Sequence, residues 1–200
     1  AHKAFVYARD MDRLPFRAPT VINQIIRKLA VTAGGQTLLS DIEKTFAAKS
    51  PHGIVGNELI TEYLHPTTYG HYLIAQTMIE DLSQSSSAAD WGIGNTGKLK
   101  SYEDYTRQLG YSLWDRISYR NDLMLFLRKM PYREPPAILR RHLAALIREQ
   151  LRDISQLKAA QRRDFVERKG MVFLSRMMDF LLPEDQGAIE EELKRLAGGS

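Results

Sequence analysis

The chain has 200 residues, enough for one ordinary domain or two small ones, with 28 Lys and Arg against 24 Asp and Glu and a formal net charge of +4. Its 44% hydrophobic and 26% charged residues are the proportions of a soluble globular protein, and no run of about 18 apolar residues predicts a membrane span. It has no cysteine, which excludes disulfides and thiolate metal sites and fits the cytoplasm, and no charged-then-apolar start resembling a signal peptide.

In chain order, Ala4-Phe5-Val6-Tyr7-Ala8 is an apolar run of strand length. A loop with Pro15 and Pro19 follows, and then Ile22, Ile25, Ile26 and Leu29 recur at helical spacing up to Gly34-Gly35, a left-handed stop. Thr37 to Ile42 reads as a second strand. Strand, helix, strand predicts a right-handed crossover between parallel strands. A loop with Pro51, Gly53 and Gly56 leads to a helix over about Thr67 to Leu82. Two strands and two helices cannot cover both faces of a parallel sheet, so residues 1–85 are expected to form the edge of a larger α/β domain.

Ser83 to Gly97 is rich in serine, glycine and small residues, which places a linker at 86–100. The pattern over 101–200 is helical throughout. Leu113 to Arg128 carries Trp114, Ile117 and Phe126, and Pro131, Pro135 and Pro136 punctuate the chain after it. Leu139, Leu143, Leu146, Ile147, Leu151, Ile154 and Leu157 form one stripe of a longer helix. Gly170 and Pro183 bracket another, and Ala188 to Leu196 closes the chain. Met171, Met177 and Met178 read as core. Acidic and basic residues alternate, as in Arg148-Glu149 and Arg152-Asp153. That is a solvated face, so no nucleic-acid partner is expected.

The chemistry concentrates in Glu62-Tyr63-Leu64-His65-Pro66 and the Thr67-Thr68-Tyr69-Gly70 that follows. On a helix, a carboxylate three residues before a histidine shares its face and suits a metal. Pro66 argues against that, because it disfavours the helical conformation at His65. His65 is therefore expected in a turn just ahead of a helix capped by Thr67 or Thr68. There a carboxylate can hold an imidazole in the tautomer that takes a proton from a serine hydroxyl. The plain alternative is a helix-start turn with a surface ion pair. A zinc site from His52, His65, His71 and Glu62 has no standard spacing behind it.

This loop resembles the C-terminal end of the SGNH, or GDSL-like, hydrolases, whose Asp-x-x-His-Pro motif precedes a helix beginning near a glycine. Here Glu62-x-x-His65-Pro66, Gly70 and Leu73-Ile74-Ala75 carry the likeness, with glutamate in place of the usual aspartate. Ser50 to Leu59 also resembles the loop that some branches place before the motif, and Asp41 resembles an acidic residue at a strand end. The likeness covers about Phe5 to Leu82. It implies a partial three-layer, flavodoxin-like α/β domain with an all-α extension. It implies His65 as general base and then general acid, Glu62 as its orienting group, and no metal or organic cofactor. The substrate implied is an acyl or acetyl ester on a small molecule, carbohydrate or lipid. The family's Gly-Asp-Ser nucleophile segment, oxyanion glycine and Gly-x-Asn-Asp block are missing, so the chain is expected to begin inside that domain and to be inactive alone. The competing expectation is a non-catalytic helical module on a degenerate α/β scaffold, with a protein partner on its helical half.

Overall fold

The structure, a computed structural model, describes residues 2–13, 15, 17–34, 37–61, 64–93, 99–128, 137–167 and 170–198, with the backbone alone at 166, 167, 171, 197 and 198. The chain divides into two compact units, Ala1–Tyr105 and Thr106–Ser200.

The first unit contains α1 (His2–Asp10), α2 (Thr20–Thr32), α3 (Ile42–Lys49), a 3-10 turn at Pro51–Gly53 and α4 (Thr68–Gln84), and α5 (Tyr102–Gln108) straddles the boundary. The second contains α6 (Leu113–Arg128), α7 (Ala137–Gln156), α8 (Ala159–Glu167), α9 (Gly170–Met178) and α10 (Pro183–Gly198). Among the described residues there is no strand, only an isolated antiparallel bridge between Ile60 and Pro66.

The α/β expectation is therefore overturned: neither a flavodoxin-like three-layer domain nor a degenerate α/β scaffold is present, and the described residues are all-helical. Ala4 to Ala8 lies inside α1. An apolar run of five residues suits a strand or a helix equally by periodicity, and only a paired neighbour decides for the strand. Thr37 to Ser40 stays outside any ladder. Ile42, expected as the last strand residue, opens α3 because Asp41 caps it, its carboxylate accepting the Lys44 N–H at 3.2 Å. Glu43 in the first turn adds a favourable charge at the positive end of that helix.

The first unit has a small core. Phe46, Leu59 and Leu73 are buried, with Ile42, Val55, Ile60 and Ile74 packed around them. Neither α1 nor α2 has a buried residue. Both are held to α3 by polar contacts instead. Arg27 grips Asp41 with two hydrogen bonds of 2.8 Å and reaches Glu43 at 2.8 Å. Arg9 bonds Glu43 at 3.1 Å and Thr20 at 2.6 Å, and Asp10 accepts the Thr20 N–H at 2.9 Å. These partly exposed pairs are each worth about 0–1 kcal/mol, so they orient the helices more than they stabilise them.

The second unit is a helical bundle with a continuous core. The α7 stripe buries Leu143, Ile147, Leu151 and Ile154 against Ile117, Met124 and Leu127 of α6 and Ile189 and Leu193 of α10. Met177 and Met178 belong to this core, while the side chain of Met171 and the prolines 131, 135 and 136 lie outside the described residues. Between α6 and α7 the buried Asp153 accepts from both Arg116 and Arg120, and Gln150 donates to Asn121 at 2.6 Å. No helix of the described residues is long and apolar enough to cross a membrane.

Candidate functional site: the histidine loop before α4

The segment from Ser50 to Gly70 folds back on itself through backbone hydrogen bonds. Leu59 and Ile60 donate to Gly56 O at 3.2 and 3.0 Å, turning the chain. Thr61 N–H donates to His65 O at 2.8 Å, and Thr67 N–H to Leu59 O at 2.8 Å. These bonds close a tight turn with the Ile60–Pro66 bridge between them. His65 lies on the closing arm of this turn, exposed to solvent, with Leu59 and Thr61 buried beneath. Pro66 has no N–H to lose, so the bridge keeps only the groups that can bond.

The helix start fixes the closing arm. Thr67 caps α4, its hydroxyl accepting the Gly70 N–H at 3.0 Å while donating to Glu58 O at 3.0 Å. Gly70 is required here: a Cβ at that position would lie 2.4 Å from Leu59 O and 3.1 Å from Pro66. The glycine of the motif thus lets α4 rest directly on the turn that carries His65. On the opening arm, Glu58 accepts the Gly56 N–H at 2.9 Å. Burial raises its carboxyl, but the Gly56, Glu58 and Ser50 hydrogen bonds and the charge of Arg17 outweigh that and hold it below the usual range.

His65 is thus placed in the expected turn, not on a helix. Glu62, its expected orienting partner, lies outside the described residues. His52, in the left-handed region at φ 57°, and His71 on α4 are both exposed. No group of three His, Cys, Asp or Glu among the described residues is arranged to hold a metal, so His52, His65 and His71 are not gathered into the conceivable zinc site. Asp41, expected as a strand-end acid, is the cap of α3 and the partner of Arg27.

Sequence reasoning missed a cavity of about 900 Å³ bounded by α1, α2, α3 and the segment leading to the turn. Phe5, Val6, Phe46, Val55, Ile60 and Leu64 give it an apolar wall, and Leu64 is the residue before His65. Arg9, Arg27 and Glu43 reach its edge but are spent on one another and on Asp10 and Asp41. α2 turns Thr20, Asn23 and Arg27 to the cavity rather than its apolar stripe, so the helical periodicity of that stripe gave no sign of it.

No family model matches the chain, and neither the curated proteins nor the solved structures include one similar enough to align with it.

Proposed function

We infer that His65 is the acid–base histidine of an ester-hydrolysing site whose serine nucleophile comes from polypeptide outside this chain. The observation that carries the reading is the mount of His65: an exposed imidazole on a turn closed by the Thr61–His65 and Thr67–Leu59 hydrogen bonds and seated on Gly70. A general base needs this, because its reach to the reacting hydroxyl must be set before the substrate arrives. In the reaction, His65 takes the serine proton as the oxygen attacks the ester carbon. It returns that proton to the departing alkoxide, then activates a water to release the acyl group in the same way. Glu62 would stabilise the imidazolium formed in each half.

The cavity beside Leu64 supports an acyl ester over an acetyl ester. Phe5, Val6, Phe46, Val55, Ile60 and Leu64 give it an apolar wall that an acyl chain can fill, and Arg9, Arg27 and Glu43 at its edge are paired with one another and with Asp10 and Asp41. The experiment is hydrolysis of p-nitrophenyl esters of increasing chain length. The 200-residue chain alone should be inert, and the native polypeptide that carries it together with a nucleophile should turn over, faster with butyrate than with acetate. Histidine-dependent turnover by the chain alone would refute the external nucleophile.

A second reading, a protein-interaction module, is favoured by one observation. On α2, Ile22, Ile25, Ile26 and Leu29 form a stripe that remains 44–62% exposed. Ile25→Asp should abolish capture of a protein partner if this reading holds, and leave ester turnover intact.

A further inference from the structure

Helix α2 is held with its apolar side outward. Arg27 donates to both Asp41 and Glu43 beside α3, and Thr20, Asn23 and Arg27 line the cavity. At 3.6 residues per turn these three lie on the side of α2 away from Ile22, Ile25, Ile26 and Leu29. The anchors therefore leave the stripe in solvent, and α2 has no buried residue. A helix of 13 residues is marginal in water unless its apolar face is packed.

The rim of the stripe decides what covers it. Within a quarter turn of its midline α2 adds only Val21, Ala30 and Thr32, and the Thr32 hydroxyl already donates to the Lys28 carbonyl at 2.8 Å. No charged residue of the helix falls in that sector. Lys28 lies beyond its edge, and Arg27 on the far side is taken by Asp41 and Glu43. An acidic peptide or an anionic membrane finds no cation on this side of α2, and a basic partner finds no carboxylate. An equally uncharged helix fits.

The stripe supplies that match itself. It is symmetric about the point between Ile25 and Ile26. A copy laid antiparallel sets Ile22 against the copy's Leu29 and Ile25 against the copy's Ile26, so the same four side chains meet across a two-fold axis. Each Lys28 comes level with the copy's Asn23 rather than with a second Lys28. Opposite dipole ends also meet, at a helix whose last turn holds no basic residue. The four side chains expose on the order of 400 Å² per copy, the size of patch that marks an interaction site. That is about half of what each partner buries in a standard interface, so the association is reversible.

We propose that α2 is the interface of a homodimer, two copies of its stripe packed antiparallel about a two-fold axis. This rests on the interaction-module reading of the stripe and is independent of the ester-hydrolysis reading.

The whole 200-residue protein is examined by sedimentation equilibrium. Wild type should show a monomer–dimer equilibrium with Kd on the order of 10–100 µM. Ile25→Asp puts a carboxylate at the centre of the seam and should raise Kd about tenfold or more at unchanged helicity. Val31→Asp, at a site 81% exposed and half a turn from Ile22, should dimerise like wild type. The chain has no cysteine, so Ile22→Cys and Leu29→Cys report the register by disulfide formation. Mixed, the two variants should cross-link with each other, and neither with itself. A dimer untouched by Ile25→Asp, or lost equally in Val31→Asp, would overturn the interface. Self-cross-linking of Ile22→Cys without the mixed product would overturn the antiparallel pairing. A wild type monomeric at several times the expected Kd would overturn the second copy. Capture of a different protein, lost in Ile25→Asp, would then keep the interaction-module reading alone, and its absence would end both. Binding of such a monomer to phosphatidylserine vesicles would assign the stripe to a lipid surface instead.

Discussion

Gly70 stands so close to Leu59 that a Cβ on the glycine would lie 2.4 Å from the Leu59 carbonyl oxygen, the same oxygen that accepts the Thr67 N–H at 2.8 Å. One backbone carbonyl therefore receives both the cap residue of α4 and the closest approach of its first turn. The position of His65 depends on that junction.

Gly70→Ala is expected to cost about 1–3 kcal/mol, the range for forcing an extra group into a packed site, despite alanine's better helix propensity. Gly187 in α10 is the control: nothing lies within 4 Å of a Cβ there. Gly187→Ala should stabilise the protein by about 0.5–1 kcal/mol. Urea denaturation of the two variants should move the midpoint in opposite directions.

Asp153, 5% exposed, holds Arg116 and Arg120 in the α6–α7 interface. Asp153→Ala strands the mostly buried Arg120 and should cost about 3–5 kcal/mol. Glu149, half exposed and 3.4 Å from the same arginine, should cost under about 1 kcal/mol when replaced by alanine. A urea titration of each variant checks the ranking, and equal losses would mean the interface is held by its apolar stripe alone.

Burial pushes the His142 imidazole on α7 below its ordinary value of 6.5, with Glu149 pulling weakly the other way. The folded state thus binds this proton less readily than the unfolded chain. Its contribution to stability is complete above the unfolded value and is lost as pH falls through the folded one. Wild-type protein should therefore weaken more than His142→Gln between pH 7 and pH 5. The carboxylates held low, such as Asp41, act only below that window. Urea midpoints at the two pH values test it, and parallel losses would place His142 outside the effect.

The helical half was legible because its signals are local. Leu113 to Arg128 is bounded by Ser112 and Asp115, which bond reciprocally across the first turn of α6, and the α7 stripe repeats for five turns' worth of sequence without interruption. The onset of α4 was legible from Pro66 and Thr67 for the same reason. What misled lies in the first unit. Five apolar residues at Phe5 do not distinguish strand from helix, and the role of Asp41 depends on Arg27, which reaches it only after α2 has folded back. In the second unit Pro183 stands beyond the end of α9 and opens α10, where a missing N–H costs nothing. The contact between Trp114 and Phe165 joins two helices distant in sequence, and no pattern along the chain announces it.

The central claim rests on His65, and one comparison tests it most directly. With the nucleophile that the proposed reading requires supplied to this chain, kcat/KM for a p-nitrophenyl ester is measured with His65→Ala and with His71→Ala, both exposed histidines on either side of the start of α4. His65→Ala should lower turnover by about 10² to 10⁴ or more at unchanged stability, as loss of the acid–base group does in serine hydrolysis, while His71→Ala leaves it intact. Full turnover in His65→Ala would contradict the account and leave the loop as a helix-start turn without chemistry.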